Sequence, residues 1–256
     1  MQQTPMPMPV QLEIRADRIA VVTLDRPHVI NALDQAAVRR LRALVRDLDA
    51  DPGVDVVVLT GAGERGFCVG ADLKERQTMA NEAARAYVQA EVLPLFREFD
   101  ARTKPAVAAV FGHTMGAGFE LTLCCDLVVA ADDTVFALPE VKWGIIPAAA
   151  GCRKLPGRIG AARARAMILA GERLPAAQAQ ALGLTNAVVA RSALLDEALA
   201  LAARVAAGVP QAVQAARRCI EDAVAAPAAH AFDLQTALAC YTEGDPHRHL
   251  AAFGRR

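Results

Sequence analysis

Short runs of apolar residues follow one another at regular intervals in the first 140 residues of the chain. The runs Val10–Ile14 and Ile19–Leu24 are separated by a polar turn, which predicts a β-hairpin. After Asp34, a predicted N-cap, apolar residues recur at helical spacing, and residues 51–53 are predicted to end this helix. Continuous apolar runs predict further strands at 54–60, 105–111, 127–131 and 134–137, the first of them buried on both faces.

Helical spacing governs much of the remaining pattern. A long helical region is predicted over 79–102, with an interruption near Pro94, and a loop that enters a helix is predicted over 116–125. From Gly160 onward strands nearly vanish, and Ser192 is a predicted N-cap. The helix after it is expected to place Leu195, Leu199 and Ala202 on one face. The predicted helices of this part are 161–169, 176–182, 192–205, 210–222 and 230–242.

This order of elements predicts an α/β protein with three parts. Residues 1–9 are expected to be a disordered tail and not a signal peptide, because they lack a basic segment and an apolar core. Residues 10–190 are expected to form a core of strand–strand–helix units with the active site, and residues 191–256 a helical C-terminal region. The apolar runs are too short to cross a bilayer, so we expect a cytoplasmic protein that does not enter membranes.

Composition and charge narrow the possible functions. The 256 residues are 54% hydrophobic and 22% charged, as in a globular protein. The 28 basic and 28 acidic residues cancel, so no charge excess points to nucleic acid or to an acidic membrane. The six cysteines form no C-x-x-C pair and the five histidines show no metal-ligand spacing. We therefore predict reduced thiols and no metal site.

Two glutamates carry most of the candidate chemistry. Glu120 follows the small-residue run Gly116-Ala117-Gly118, and Glu140 follows Pro139. Two carboxylates in one pocket can differ in pKa, so that one acts as an acid and the other as a base. A single glutamate is more often a helix cap, an ion-pair partner or a solvated turn residue. The sequence around both glutamates favours proton transfer to and from carbon or water.

Two turns rich in small residues precede predicted helices. One contains Gly70 and Ala71, and the other contains Gly116, Ala117 and Gly118. A helix N-terminus leaves backbone N–H groups without acceptors, and two such turns could each give one donor to a single carbonyl oxygen. Either turn alone could simply permit a tight strand–helix connection. The presence of both, with a glutamate one helical turn onward, favours an oxyanion site.

The segments together resemble the enoyl-CoA hydratase/isomerase (crotonase) family. The resemblance covers almost the whole chain after the tail, in family order and spacing. It rests on Leu24-Asp25-Arg26-Pro27, Asn31-Ala32-Leu33, Gly70-Ala71-Asp72-Leu73-Lys74-Glu75, Gly116-Ala117-Gly118-Phe119-Glu120-Leu121, Cys125-Asp126, Pro139-Glu140 and Gly144-Ile145-Ile146-Pro147.

The resemblance implies a fold, an assembly and a reaction. The fold is a crotonase-like spiral of ββα units whose helical C-terminal region drives assembly into a trimer or a dimer of trimers. The backbone N–H groups of Ala71 and Ala117 would bind the thioester oxygen of an acyl-CoA. The residue matching Glu120 would act as base on the attacking water, and the residue matching Glu140 would deliver the proton to C2.

The resemblance also implies which residues contact the acyl-CoA. No separate cofactor is implied, because coenzyme A is part of the substrate. Two departures from the family pattern concern the site: Ala117 replaces a glycine at a donor position, and Ala148-Ala149-Ala150 replaces a glycine-rich run beside the water site. The implied substrate- and CoA-binding residues are Arg26, Ala71, Asp72, Leu73, Lys74, Ala117, Trp143, Phe253 and Arg256.

Several functions remain open at this point. Hydration of a 2-enoyl-CoA leads, since both glutamates are present. The same scaffold could serve an enoyl-CoA isomerase, an acyl-CoA hydrolase or a decarboxylase, which often lack one glutamate. A non-catalytic relative could bind RNA or a partner protein, but the zero net charge argues against RNA.

Overall fold

The computed structural model describes residues 8–224, and the predicted helix at 230–242 lies outside them. The strands are β1 (Val10–Ile14), β2 (Ile19–Leu24), β3 (Val56–Gly61), β4 (Ala106–Val110), β5 (His113–Met115), β6 (Leu127–Ala131), β7 (Val135–Ala137), β8 (Arg173–Pro175) and β9 (Ala187–Val189). The α-helices are α1 (Gln35–Ala50), α2 (Leu73–Gln77), α3 (Asn81–Tyr87), α4 (Leu93–Ala101), α5 (Ala117–Cys124), α6 (Gly151–Ile159), α7 (Ala161–Leu169), α8 (Ala176–Ala181), α9 (Leu194–Ala206) and α10 (Pro210–Val224).

The main sheet has six strands in the order β1-β2-β3-β4-β6-β9. The predicted hairpin is confirmed, because β1 and β2 pair antiparallel with Val10 opposite Leu24. The other pairs in this sheet are parallel. All five residues of β4 are buried, and only the last residue of β3 is not, as expected for parallel strands covered on both faces.

A second sheet has three strands in the order β5-β7-β8. Strands β5 and β7 are parallel and β7 and β8 are antiparallel. Strand β5 follows β4 after a turn at Gly112, so the chain passes from the main sheet into the second sheet just before α5. This passage brings the start of α5 to the place where the candidate site forms.

Helix α1 confirms its predicted N-cap. The Asp34 carboxylate accepts a hydrogen bond from the backbone N–H of Ala37 at 2.8 Å. The buried face of the helix carries Val38, Leu41, Leu44 and Leu48, which join the core. The helix ends at Ala50, directly before the predicted stop at 51–53.

The predicted helical region over 79–102 is three consecutive segments. Between α3 and α4 lies a π-helical segment, Val88–Val92, which ends two residues before Pro94. Proline clashes with the carbonyl four residues earlier, here that of Ala90. That carbonyl accepts a hydrogen bond from Arg42 at 3.0 Å instead. The predicted interruption is therefore confirmed.

Several C-terminal predictions were wrong or incomplete. The N-cap of α9 is Ala193, because Ser192 lies in a preceding 3₁₀ turn. Leu195 is exposed, and the buried face of α9 carries Leu194, Ala198 and Ala202. Helix α6 and strand β9 had not been predicted, and β9 joins the edge of the main sheet beside β6. Helix α7 begins and ends as predicted.

The core extends into the predicted C-terminal region. Helix α9 packs on the main sheet, with contacts to β3, β4 and β6. The buried ends of α4 and α5 are joined by Asp126, which pairs with Arg102 at 2.5 Å and with Arg217 at 2.8 Å. The division at residue 190 stays a prediction. Across residues 8–224, every helix falls short of the length and apolar character needed to span a bilayer.

Candidate active site

Both predicted glutamates face one cleft. Glu120 lies in the first turn of α5, and Glu140 begins a 3₁₀ turn, Glu140–Trp143, after β7. The cleft has an empty space of about 780 Å³, counted out to its open mouth. It is lined by Val69, Ala71, Leu73, Arg76, Val88, Val92, Leu93, Gly116, Ala117, Glu120, Pro139, Glu140, Trp143, Ile145, Ile146, Ala148 and Ala149.

The two small-residue turns lie against each other at this cleft. A side-chain carbon on Gly70 would stand 2.9 Å from the backbone nitrogen of Ala117, and Gly70 has a φ of +91°. A side-chain carbon on Gly118 would stand 2.4 Å from the carbonyl oxygen of Cys68. Glycine at both positions therefore permits a close backbone approach that any larger residue would block. The sequence predicted the two turns, and the structure brings them together.

The two residues predicted to supply donor amides, Ala71 and Ala117, both line the cleft. Ala117 is the first residue of α5, where a helix leaves its N–H groups without an intrahelical acceptor. Ala71 forms a parallel β-bridge with Leu33. In this bridge the N–H of Leu33 donates to the Gly70 carbonyl, and the N–H of Asp72 donates to the Leu33 carbonyl. The φ of Ala117 is not positive, so its methyl group causes no backbone strain at this position, where the resemblance leads us to expect glycine.

Glu120 is held by backbone amides. It is 4% exposed, and its Oε1 accepts hydrogen bonds from the N–H groups of Ala150 at 2.8 Å and Gly151 at 2.9 Å. These amides belong to the start of α6. Burial raises the pKa of Glu120, while the amides and the charge of Arg153 counter part of that rise. Hydrogen bonds from N–H donors favour the ionised carboxylate.

Glu140 lies in a different environment. It is 8% exposed, and its Oε2 is buried without a hydrogen-bond partner among residues 8–224. Burial, followed by repulsion from Glu120, raises the pKa of Glu140 well above its usual range. Both causes disfavour the ionised form of Glu140, so this side chain holds its proton to higher pH than a free glutamate does. The site can thus hold one carboxylate that accepts a proton and one carboxylic acid that donates a proton.

The alanine run at 148–150 takes part in this arrangement. Ala148 and Ala149 line the cleft, and Ala150 supplies one of the amides that hold Glu120. None of the three has a positive φ, so the backbone accepts their methyl groups without strain. Ala148 and Ala149 thus form part of the cleft wall, and the amide of Ala150 holds Glu120.

The other predicted contact residues fall into four groups. Leu73 and Trp143 line the cleft, and Lys74 is exposed on α2. Phe253 and Arg256 lie outside the described residues. Arg26 and Asp72 form an ion pair at 3.0 Å, so a role in CoA binding stays a prediction for both.

The polar groups of Arg26 and Asp72 also hold the local fold. Arg26 forms a second ion pair with Asp34 at 3.2 Å. Asp72 is the N-cap of α2 and accepts from the N–H groups of Lys74 and Glu75. The loop with the Ala71 amide is therefore fixed to the start of α1.

Sequence reasoning missed two features of the site. The amides of Ala150 and Gly151 were not predicted to bind Glu120, although a helix start after Pro147 could have indicated free N–H groups. Arg76 was not singled out, although it contributes the positively charged side chain of the cleft lining. Its position one turn after Leu73 in α2 would have indicated that it shares a face with a predicted contact residue.

One cysteine, Cys68, lies close to the two turns of the cleft. Burial raises the pKa of its thiol to about 12. Its Sγ donates to the Asn31 carbonyl at 3.1 Å. Residues 8–224 contain no cluster of three or more histidine, cysteine and acidic side chains that could hold a metal ion.

Fold and site together define an α/β protein whose cleft holds two buried carboxylates in unequal environments. Comparison with known proteins agrees: a model of the enoyl-CoA hydratase/isomerase family matches residues 15–249. The chain belongs to this family, as the resemblance in its sequence predicted.

The matched relatives and solved structures align with most of this chain and with most of their own length. The 2,3-dehydroadipyl-CoA hydratase of Escherichia coli is 39% identical over 246 residues, which are 93% of each chain. The (E)-benzylidenesuccinyl-CoA hydratase of Thauera aromatica is 37% identical over 82% of this chain and 81% of its own. The crystal structure of an enoyl-CoA hydratase from Bacillus anthracis superimposes with a TM-score of 0.82 at 31% identity and covers 96% of each chain. These likenesses confirm the predicted crotonase-like α/β fold.

Proposed function

We propose that this protein is an enoyl-CoA hydratase, which adds water to a 2-enoyl-CoA or removes it from a 3-hydroxyacyl-CoA. The observation that carries the proposal is the unequal hydrogen bonding of two buried carboxylates in one cleft. Glu120 accepts two backbone N–H groups, whereas Oε2 of Glu140 has no partner among residues 8–224. Hydration needs a base for water and an acid for carbon, and the two environments supply them.

Glu120 acts first, as the base. Its ionised carboxylate removes a proton from water while the water oxygen forms a bond to C3 of the substrate. The electrons of the C2–C3 double bond move toward C1, and negative charge develops on the thioester oxygen. The amides of Ala150 and Gly151 hold the carboxylate in place at 2.8 and 2.9 Å, so that it does not need to reorganise before reaction.

Glu140 acts as the acid. Its proton passes to C2 as the electrons return from the thioester oxygen, so that one hydrogen and one hydroxyl group have been added. Transfer of the proton gained by Glu120 back to Glu140, through water, restores the starting state. The amides of Ala71 and Ala117 are suited to bind the thioester oxygen, and one such donor contributes about 3–4 kcal/mol in comparable sites.

Other properties of the protein follow from family membership as proposals. Coenzyme A enters as part of the substrate, with no separate cofactor. The chain assembles as a trimer or a dimer of trimers in the cytoplasm, and light scattering of the purified protein tests the assembly. The relatives above are named for different acyl groups, dehydroadipyl and benzylidenesuccinyl, so the family does not fix the acyl group.

Hydration of crotonyl-CoA tests the proposal through loss of the enoyl-thioester absorbance. We expect Glu120→Gln and Glu140→Gln each to lower kcat by about 10²- to 10⁴-fold, the usual value of one acid–base group. The exposed Glu13 provides a matched control, and Glu13→Gln should leave the rate unchanged. Conversion of a 3-enoyl-CoA without hydration of crotonyl-CoA would instead identify an isomerase, and thioester cleavage would identify a hydrolase.

A further inference from the structure

The first turn of α6 is tied to the end of α4 by three charged side chains. Arg153 and Lys154, in that turn, both form ion pairs with the carboxylate of Asp100 on α4. The Nζ of Lys154 stands 2.9 Å from Oδ1 of Asp100. All three side chains are between 10% and 15% exposed. Because largely buried ion pairs are screened little by salt, these pairs hold the start of α6 in a fixed place against α4.

The turn that carries these charges also holds Glu120. The amides of Ala150 and Gly151 donate to Oε1 of Glu120 at 2.8 and 2.9 Å. The N–H of Lys154 donates to the Ala150 carbonyl at 2.7 Å, so the amides and the ion-paired residues belong to one hydrogen-bonded turn. A displacement of Arg153 or Lys154 would therefore displace the amides that bind the carboxylate.

The charge of Arg153 acts on the same carboxylate. Two charged or titratable groups face Glu120 from the elements around it, Arg153 from α6 and Glu140 from the turn after β7. Burial raises the pKa of Glu120, and the positive charge of Arg153 opposes that rise. Glu140 carries a carboxyl group and so cannot favour the ionised form of its neighbour. Arg153 therefore favours the ionised form of Glu120 both through its charge and through the turn that it anchors.

We propose that Arg153, held by Asp100, is a positioning residue for the catalytic base. It fixes the amides of α6 on Glu120 and keeps a positive charge near the ionised carboxylate. Arg153 is not among the described residues that line the cleft, so it acts through Glu120 and not on the substrate. This assignment rests on the proposed hydratase function and adds a residue outside the cleft that supports it.

The pH dependence of crotonyl-CoA hydration in Arg153→Gln tests the assignment. Glutamine removes the charge, while Asp100 keeps Lys154 as its partner, so no buried carboxylate is left unpaired. We expect the acidic limb of kcat/KM to move to higher pH, because the ionised form of Glu120 loses support. On the acidic side the variant should be about 3- to 10-fold slower than wild type, as for one charge acting across a partly buried site. The loss should shrink as the pH rises through the limb.

Matched variants separate the charge from a general effect on the protein. Arg153→Lys keeps a positive charge within reach of Asp100 and should return the acidic limb toward that of wild type. Arg165→Gln removes a positive charge from an exposed position on α7 and should leave the profile unchanged. If Arg153→Gln does not fold, Arg153→Met removes the same charge with an apolar side chain of similar length and is measured in its place.

A second measurement follows Glu120 without turnover. Carbon-13 NMR of protein labelled at the glutamate carboxyl carbon records the titration of each glutamate, and the Glu120 signal is identified by its absence in Glu120→Gln. The titration midpoint of Glu120 should be higher in Arg153→Gln than in wild type. In Arg153→Lys it should lie close to that of wild type.

The possible results distinguish this proposal from the proposed function. An unchanged midpoint in Arg153→Gln, an activity loss that is equal at every pH, or an Arg153→Lys variant that behaves like Arg153→Gln would overturn the positioning role while hydration stands. A wild type that leaves crotonyl-CoA untouched would overturn the hydratase function. A shifted Glu120 midpoint in Arg153→Gln would still support the action of Arg153 on Glu120 in that case.

Discussion

Replacing Glu140 with glutamine should make the protein more stable at neutral and alkaline pH while removing its activity. Glu140 is buried, and its pKa is raised well above the usual value of 4.5, first by burial and then by Glu120. The folded protein therefore holds this proton more tightly than the unfolded chain does. As pH rises above 4.5 toward the folded pKa, the unfolded chain releases the proton and the folded protein does not, so stability falls.

The magnitude follows from linkage. One proton held only by the folded state changes the free energy of unfolding by about 1.4 kcal/mol per pH unit. Glutamine has nearly the volume of glutamate and does not ionise, so Glu140→Gln removes this slope without opening a cavity. The stability gain of the variant over wild type should be small near pH 4.5. It should then increase by up to about 1.4 kcal/mol per pH unit until the folded pKa is passed.

Urea unfolding followed by circular dichroism from pH 5 to pH 8 measures this difference. Both proteins are compared at the same concentration, because the apparent stability of any protein that assembles depends on its concentration. Glu13→Gln is the control and should follow wild type at every pH, since Glu13 is exposed on β1. A difference between Glu140→Gln and wild type that does not grow with pH would refute the assignment of a retained proton to Glu140.

Three further predictions test the site and its support. Gly118→Ala should lower stability by about 1–3 kcal/mol, because the added carbon would stand 2.4 Å from the Cys68 carbonyl oxygen. Gly157→Ala is the control and should not lower stability, because a carbon added there meets no atom within 4 Å. Thermal melting measures both variants. Asp126→Asn should cost about 3 kcal/mol in denaturant unfolding, because it leaves the buried Arg102 without its carboxylate. The pH dependence of kcat/KM should be bell-shaped. Its acidic limb should lie above pH 4.5, because the pKa of the base, Glu120, is raised, and its alkaline limb is set by the acid, Glu140. A flat profile would contradict the acid–base pair.

Local signals in the sequence predicted most of the secondary structure. Helix α1 could be located because Asp34 and the apolar spacing after it agree. Strands β3 and β4 could be located because both are nearly continuous apolar runs. The N-cap of α9 was misplaced because a serine caps a helix only if the chain is extended there, and residues 191–193 form a 3₁₀ turn instead. Strand β9 was missed because a three-residue strand is defined by its partner, here β6, more than by its own residues.

The chemistry of the candidate site could be anticipated in part. The two glutamates and the two small-residue turns were recognisable because each lies in a distinctive local sequence. Apart from what the family resemblance implies, the sequence could not show which glutamate retains its proton, because that depends on hydrogen bonds from residues about thirty positions away. Ala150 and Gly151 supply those bonds to Glu120.

By itself, the sequence determined the family, the order of most of the elements and the identity of the paired carboxylates. These depend on residue type and short-range spacing, which the chain carries directly. Only the tertiary structure decided that the two turns touch and that Oε2 of Glu140 has no hydrogen-bond partner within residues 8–224. It also decided that Arg76 lines the same cleft as the two glutamates. The physical reason is that burial and hydrogen bonding, which set pKa values and ligand preference, are created by contacts between segments far apart in the chain.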